Sequence, residues 1–397
     1  MNSNQEQLFI FAGEASGDLH GSRLMAALKK ELPQASFIGV GGPKMRAEGV
    51  ECLLRMEDFE VMGFSAVLMA LPKLIRYFYR VRQHILEANP KGVILIDYPG
   101  FNLRLAKSLR KQGYKGKIVH YICPSVWAHG KGRIQQLAET IDLLLVIYPF
   151  EVECFAHTPL SVKYVGNPLQ EAIRSYSIPD NQILKDYGLE PDHAQNTESK
   201  ALIALFPGSR LSEIKRNLPL QLAAAKLFLT DHPETRFAIS CAHDKGDSLI
   251  HELVSAFEFT KNQITFVPKA HTYALMRACR SAVAKSGTVT LELALHEKPT
   301  VVVYQLSLLN WLIAKYLLRL SLPHYCIVNI LGKKAIFPEL IERQNTPKEV
   351  CEQLNQLNRE GAPRDTCISE CRKIATLLYR ENSSAQAARA IRDLLTQ

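Results

Sequence analysis

Several common site signatures are missing from this chain, and each absence narrows what it can do. No G-x-G-x-x-G spacing occurs, so a nicotinamide-binding fingerprint is not supported, and no G-x-x-x-x-G-K-[S/T] phosphate loop is present. No G-x-S-x-G elbow occurs, which disfavours a Ser-His-Asp hydrolase. None of the nine cysteines forms a C-x-x-C pair, and His120 with Cys123 has no second pair at zinc spacing. Neither a cluster of His, Cys and Asp ligands nor an Asp-x-Asp triplet calls for a metal, so neither metal nor cofactor is expected. The odd number of scattered thiols points to a reducing cytoplasm. The polar start, Met1-Asn-Ser-Asn-Gln-Glu-Gln7, runs straight into a strand and predicts no signal peptide. No apolar run reaches the roughly 18 residues a spanning helix needs, so the chain is expected to sit on a membrane at most.

What is present fits a globular α/β protein. The 397 residues are 47% apolar, enough for two domains with separate cores. A net charge of +9 favours acidic partners: nucleotide phosphates, anionic lipid or nucleic acid. Nucleic acid is the weakest of the three, because the basic residues neighbour apolar surface and no nucleic-acid module is visible.

Leu8-Phe-Ile-Phe-Ala12 reads as a strand, followed by the turn Gly13-Glu-Ala-Ser-Gly-Asp18 and a helix from near Leu19, with Ser16 or Asp18 able to cap it. Such a loop lies at the carboxyl end of a first strand, where doubly wound sheets bind ligands. A Gly-rich turn with an N-cap explains Ser16, Gly17 and Asp18 without function; Glu14 is harder to explain that way. Gly92-Val-Ile-Leu-Ile-Asp97 is a buried strand ending in a carboxylate at a crevice mouth, which makes Asp97 the leading general-base candidate. Between these stretches, Val67, Leu68, Met69 and Leu71 precede Lys73, Arg76, Arg80 and Arg82, with Pro72 suited to a first helical turn. The segment near 61–82 reads equally as a surface dipping into an anionic bilayer or as a helix with a solvated basic face.

Gly166-Asn-Pro168 breaks the chain, and the polar stretch Glu190–Lys200 reads as a surface excursion. A second run of alternating strands and helices then begins at Ala201. Pro207-Gly-Ser-Arg210 turns from strand to helix, and Gly208, Ser209 and Arg210 form a place to hold a diphosphate. Ser281–Leu295 repeats the arrangement: a short strand, a tight turn at Ser286-Gly287, and a helix opening at Thr288. Free N–H groups and the positive helix end there can receive an anion, and Glu292 one turn on can accept from ribose hydroxyls. Lys285 is open between a phosphate contact and a solvated strand end. Leu306–Leu320 reads as an apolar helix, and Thr346–Gln397 as three helices with Ser383 capping the last.

The expected fold is therefore α/β, with two Rossmann-like doubly wound domains facing a cleft. Residues 1–170 form the acceptor-binding domain, 171–375 the domain for the nucleotide sugar, and 376–397 a closing segment. This arrangement describes a nucleotide-sugar glycosyltransferase. Arg210 and the helix at Thr288 would stabilise the leaving diphosphate, and Asp97 would deprotonate the acceptor hydroxyl. Two rivals are a UDP-N-acetylglucosamine 2-epimerase of the same architecture and a non-catalytic nucleotide-sugar or lipid-binding protein.

Five stretches, Gly13–Asp18, Pro124-Ser-Val-Trp-Ala128, Gly166–Pro168, Leu205–Arg210 and Lys285–Glu292, resemble the motif set of the lipid-A-disaccharide synthase family, in that family's order. The resemblance extends through Asn329 to Phe337-Pro-Glu-Leu340. It implies a GT-B type fold and inverting, metal-independent transfer from UDP-2,3-diacylglucosamine to 2,3-diacylglucosamine 1-phosphate (lipid X). It further implies work at the cytoplasmic face of the inner membrane, and a final helix that crosses back to the first domain or is exchanged in a homodimer. Matched by position, Asp97 falls on the base, Arg210 and Thr288 on diphosphate contacts, Glu292 on the ribose contact and Asn329 on a further donor-site residue. Glu14, Ser16, Gly17 and Asp18 fall on the acceptor side. Gly100 replaces a second Asp, His129 an expected Trp and Lys333 an expected Gly, so Asp97 is the one carboxylate left in its loop.

Overall fold

The computed structural model describes residues 6–59, 64–127, 131–176, 185–187, 189, 198, 201–241, 244–305, 323–341 and 345–397, the side chains of 64–70, 131, 244 and 245 excepted. Two compact units divide the chain: residues 1–171 together with 378–397, and residues 172–377.

The first unit holds seven parallel strands: β1 (Glu6–Ala12), β2 (Ala35–Gly41), β3 (Glu51–Arg55), β4 (Gly92–Ile96), β5 (Lys117–Tyr121), β6 (Leu143–Val146) and β7 (Ser161–Tyr164). Their order is β3-β2-β1-β4-β5-β6-β7. The second unit holds six: β8 (Leu202–Phe206), β9 (Arg236–Cys241), β10 (Ile264–Pro268), β11 (Ser281–Lys285), β12 (Thr300–Tyr304) and β13 (Glu339–Ile341), ordered β10-β9-β8-β11-β12-β13. Strands such as Gly92-Val-Ile-Leu-Ile96 are apolar throughout because helices cover both faces of a parallel sheet.

Side-chain alternation divides the core of the first unit. Phe9, Phe11, Val93 and Leu95 pack on one face, while Leu8, Ile10, Ile94 and Ile96 pack on the other. The second face is completed by the last helix, Ser383–Leu395, through Ala387, Ile391 and Leu395 at helical spacing. Arg392 and Arg389 of that helix pair with Glu31.

In each sheet the strand order reverses once, between β1 and β4 and between β8 and β11. Connections on the two sides of such a reversal run to opposite faces, and this opens a crevice at the carboxyl ends. Ala12 pairs with Ile96, so Gly13 and Asp97 leave the first sheet at the same level. Phe206 pairs with Ala284, so Pro207 and Lys285 leave the second sheet side by side.

Three local expectations change. The first helix runs Ala15–Glu31, one turn earlier than expected, because the loop after β1 is only Gly13-Glu14. The basic segment lies in one helix, Phe64–Ala88, with Pro72 inside it and not in its first turn; the helix tolerates the loss of one backbone donor. Asn382 caps the last helix by accepting from the Ala385 N–H, while Ser383 is its first helical residue and donates to Glu171. The apolar stretch Leu306–Leu320 and all but Glu198 of Glu190–Lys200 lie outside the described residues, as does His129. No helix among the described residues is long and apolar enough to cross a membrane.

Candidate active site

At the mouth of the first sheet, β4 ends in two consecutive left-handed residues, Asp97 and Tyr98, each with φ of 47°. Non-glycine residues rarely adopt this region, and a pair of them persists only when the surroundings hold it. Here the Asp97 N–H donates to Tyr121 O at 2.9 Å. The Asn102 amide donates to the carbonyls of Asp97 and Ile96 at 2.7 and 3.2 Å. The Tyr98 and Phe101 rings pack with Phe11 and Phe59, so the turn is also clamped by aromatic contacts. Gly13 passes so close that an added Cβ would stand 3.0 Å from the Tyr98 ring. Asn102 thus anchors the turn from inside the following helix, Pro99–Lys111.

This turn opens into a cavity of about 580 Å³. One wall is the Phe64–Ala88 helix, where Leu71, Ile75 and Tyr79 form a stripe at four-residue spacing, 47%, 47% and 52% exposed. The other is the Pro99–Lys111 helix, with Phe101 and Arg104. Glu14 and Asp97 supply the carboxylates. Burial raises the Asp97 carboxyl above the ordinary aspartate range, with the Tyr98 N–H opposing in part. A more basic carboxylate in an apolar recess is suited to taking a proton from a hydroxyl. Gly100 also lines this cavity, and an added Cβ there would meet nothing within 4 Å.

The neighbours of Glu14 have other positions. Ser16 is exposed and Gly17 packs against Ala12. Neither residue lines the cavity, and neither does Asp18. Asp18 is 2% exposed, and its two oxygens accept from the N–H groups of Gly42, Lys44 and Met45 at 2.8–3.0 Å. Asp18 thus binds the start of the Pro43–Ala47 helix. Of the basic segment, Lys73 lies over the Tyr77 ring and Arg76 is exposed. Val67, Leu68 and Met69 belong to the same helix, with side chains outside the described set.

The turns after β8 and β11 in the second unit are joined by a residue that sequence reasoning passed over. Glu213 Oε2 accepts from the N–H groups of Ser209 and Arg210 at 3.2 and 3.4 Å. Its other oxygen pairs with Lys285 Nζ at 3.0 Å. Gly208, at φ of 119°, runs so close that an added Cβ would be 2.7 Å from Glu213. Burial opposes the charge on Glu213, but Lys285 and the two N–H groups outweigh it and hold the carboxyl low. The Ser209 and Arg210 amides, in the turn expected to grip a diphosphate, therefore already serve the protein's own carboxylate. Glu213 was visible as a carboxylate three residues after Arg210; its bond to Lys285, 72 residues away, was not. Lys285, the open residue, is a strap between the two turns.

Arg210 is exposed, and so are Gly287 and Thr288 at the start of the Thr288–Leu295 helix. The first N–H groups of that helix have no intrahelical acceptor, so an anion can be received there. The Ser286 N–H, by contrast, is bonded to Val303 O. Glu292 accepts from the Tyr273 hydroxyl at 2.9 Å, and burial raises its carboxyl. Asn329 is wholly buried, and its amide makes four hydrogen bonds: to Phe337 O and Glu339, and from the Ile336 and Phe337 N–H groups. These occupy its donors and acceptors within the protein. Lys333 sits left-handed at φ of 53°, the conformation that a glycine in its place would adopt without strain. Among the described residues no group of three or more His, Cys, Asp or Glu could hold a metal.

Two Rossmann-like units with open switch points place the chain in the GT-B class of folds. Solved structures of that class superpose on almost all of it. A Listeria monocytogenes protein assigned as a UDP-N-acetylglucosamine 2-epimerase gives a TM-score of 0.64 at 12% identity, over 98% of this chain and 94% of that one. The calicheamicin glycosyltransferase CalG4 gives 0.59 at 12% identity, over 99% of each. Identity this low shows the fold alone. Residues 8–392 match the family described as lipid-A-disaccharide synthetase, and the chain belongs to that family. The lipid-A-disaccharide synthase of Chlamydia pneumoniae is 39% identical over 374 residues, 93% of this chain and 59% of that protein. That of Trichlorobacter lovleyi is 36% identical over 356 residues, 90% of this chain and 89% of that one. The chain thus spans little more than half the length of the chlamydial relatives it matches.

Proposed function

We propose that the protein transfers a 2,3-diacylglucosaminyl group from its UDP donor to the 6-hydroxyl of 2,3-diacylglucosamine 1-phosphate, forming a β-1′,6-linked disaccharide and UDP. Family membership supports this reading over an epimerase of the same fold, and the observation that carries it is Asp97 in an apolar cavity. Asp97 accepts the hydroxyl proton as the acceptor oxygen bonds to the anomeric carbon and the bond from that carbon to the diphosphate oxygen breaks. Arg210 and the amide groups at Thr288 stabilise the charge gathering on the departing UDP. Glu292 receives a ribose hydroxyl. The Leu71, Ile75 and Tyr79 stripe shelters an acyl chain, and with Lys73 and Arg76 nearby the same helix rests on an anionic membrane surface at the cytoplasmic face. In a homodimer, exchange of the Ser383–Leu395 helix between two copies would keep the contacts described above.

The test is incubation with both acylated substrates, reading UDP release and the mass of the product. Release of UDP with the disaccharide mass is expected. No release, or interconversion of free UDP-sugar epimers, would overturn the reading.

A further inference from the structure

The cavity beside Asp97 has a chemical imbalance. Its walls are apolar and its two acids, Glu14 and Asp97, repel an anion, yet the family's proposed acceptor carries a phosphate. Arg104 is the one cation among the described lining residues. It is exposed and makes no ion pair or hydrogen bond with any described residue. Of the cations on the facing helix, Lys73 lies over Tyr77 and Arg82 lies over Tyr79 while donating to Ser108, and none of them lines the cavity.

We infer that Arg104 is the specificity residue for the acceptor, and that its guanidinium receives the acceptor's phosphate monoester while Asp97 faces the attacking hydroxyl. This rests on the function proposed above. Arg104 stands five residues beyond Pro99 in the helix, roughly 7.5 Å of rise, and Asp97 lies just before that helix, a gap that one hexose and the reach of an arginine side chain together bridge. The planar fork of a guanidinium matches two phosphate oxygens, which a lysine cannot do. The rigidity of the helix, anchored through Asn102, keeps the fork at a set distance from Asp97. An acceptor lacking the phosphate would still fill the apolar wall but leave Arg104 unpaired, so recognition and chemistry act on opposite ends of one sugar.

The experiment compares the phosphorylated acceptor with 2,3-diacylglucosamine, its dephosphorylated counterpart, in mixed micelles with the full chain. The wild type should prefer the phosphorylated acceptor in kcat/KM by roughly 10- to 100-fold, the range for hydrogen bonds to a charged group. Arg104→Ala should abolish that preference through KM, with kcat at saturation changed by less than about threefold, and Arg104→Lys should restore part of it. Equilibrium binding of radiolabelled phosphorylated acceptor needs no turnover and should weaken in Arg104→Ala by a similar factor. A preference or Kd unchanged in Arg104→Ala would overturn the proposal even if transfer proceeds. A Kd difference without any UDP release from the wild type would overturn the function reading and leave the phosphate contact standing. Arg104 is exposed, so the variant should melt with the wild type; loss of binding to both acceptors alike would point to damage and count against a phosphate role.

Discussion

The two crevice mouths share a topology and a register but carry opposite chemistry. In the first, the exit of β4 is forced left-handed at Asp97 and Tyr98, and the carboxylate is made more basic by burial. Its walls are apolar, and Arg104, the one cation among the described lining residues, has no ion pair or hydrogen bond with a described residue. In the second, the exit of β8 is drawn onto Glu213, which Lys285 and two amides keep charged. Strand order therefore locates a mouth in each sheet. What the mouth can do depends on which groups fill the freed N–H donors and on how far burial is left uncompensated. The first is left with a proton acceptor; the second is left with the Arg210 side chain and the Thr288 helix end, since the Ser209, Arg210 and Ser286 amides are taken.

The sharpest way to separate the two mouths is to disable one group in each. Asp97→Asn keeps the shape of the turn but cannot take a proton, and should lower kcat by about 10²–10⁴-fold with little change in substrate affinity. Arg210→Ala should lower kcat by about 10²–10³-fold while keeping the acid limb of the pH–rate profile where the wild type has it. Because burial raises the Asp97 carboxyl, that limb should lie above the range of an ordinary aspartate. Steady-state rates across pH check both. If Asp97→Asn acted mainly on donor affinity, or Arg210→Ala shifted the acid limb, the division of labour would fail.

The strands around both switch points were legible in the sequence because each is short, apolar and bounded by glycine or a polar turn. Asp97 drew attention because it follows directly on a strand end, and Arg210 and Thr288 because they stand in the turns just beyond one. Asp18, Asn329 and Glu213 were not. Asp18 read as a helix cap or an acceptor-side residue, Asn329 as a donor-site residue, and Glu213 drew no reading; each is engaged by backbone or side-chain partners. The partners of Asp18 begin 24 residues away at Gly42, and Lys285 lies 72 residues from Glu213. Periodicity reports burial and local turns, but it carries no record of which distant N–H a carboxylate will meet. Arg104 was passed over because its significance lies in having no partner within a wall built from another helix.

Two buried carboxylates extend the contrast to stability. Glu151, in the first unit, is 1% exposed and accepts from the Ile147 and Tyr148 N–H groups; with no cation beside it, burial pushes its carboxyl up to about 8. Its folded pKa lies above the unfolded one, so the folded state holds the extra proton between the two values. Stability should therefore fall as pH rises from near 4.5 to about 8, by up to about 1.4 kcal/mol per pH unit. Glu213 has the opposite sign: its folded pKa is lowered, so its contribution is present above the unfolded pKa and lost as pH falls through the folded value. Denaturant melts of Glu151→Gln and Glu213→Gln across pH 3 to 8 should remove one slope each. Parallel slopes in wild type and Glu151→Gln would refute the assignment to Glu151.

The smallest expected effect tests whether the first mouth depends on having a single carboxylate in its turn. At Gly100 an added Cβ meets nothing within 4 Å, and the residue is exposed at the cavity rim. Gly100→Asp should therefore change stability by less than about 0.5 kcal/mol, as an unconstrained surface substitution does. Its charge would stand three residues from Asp97 within one turn, and a like charge disfavours ionisation of its neighbour. The acid limb of kcat/KM should move to higher pH, while the second mouth, in the other unit, keeps its UDP affinity. Activity that rises without a shift in that limb would mean the added carboxylate shares the proton transfer, and Asp97 would lose its place as the sole base of the turn.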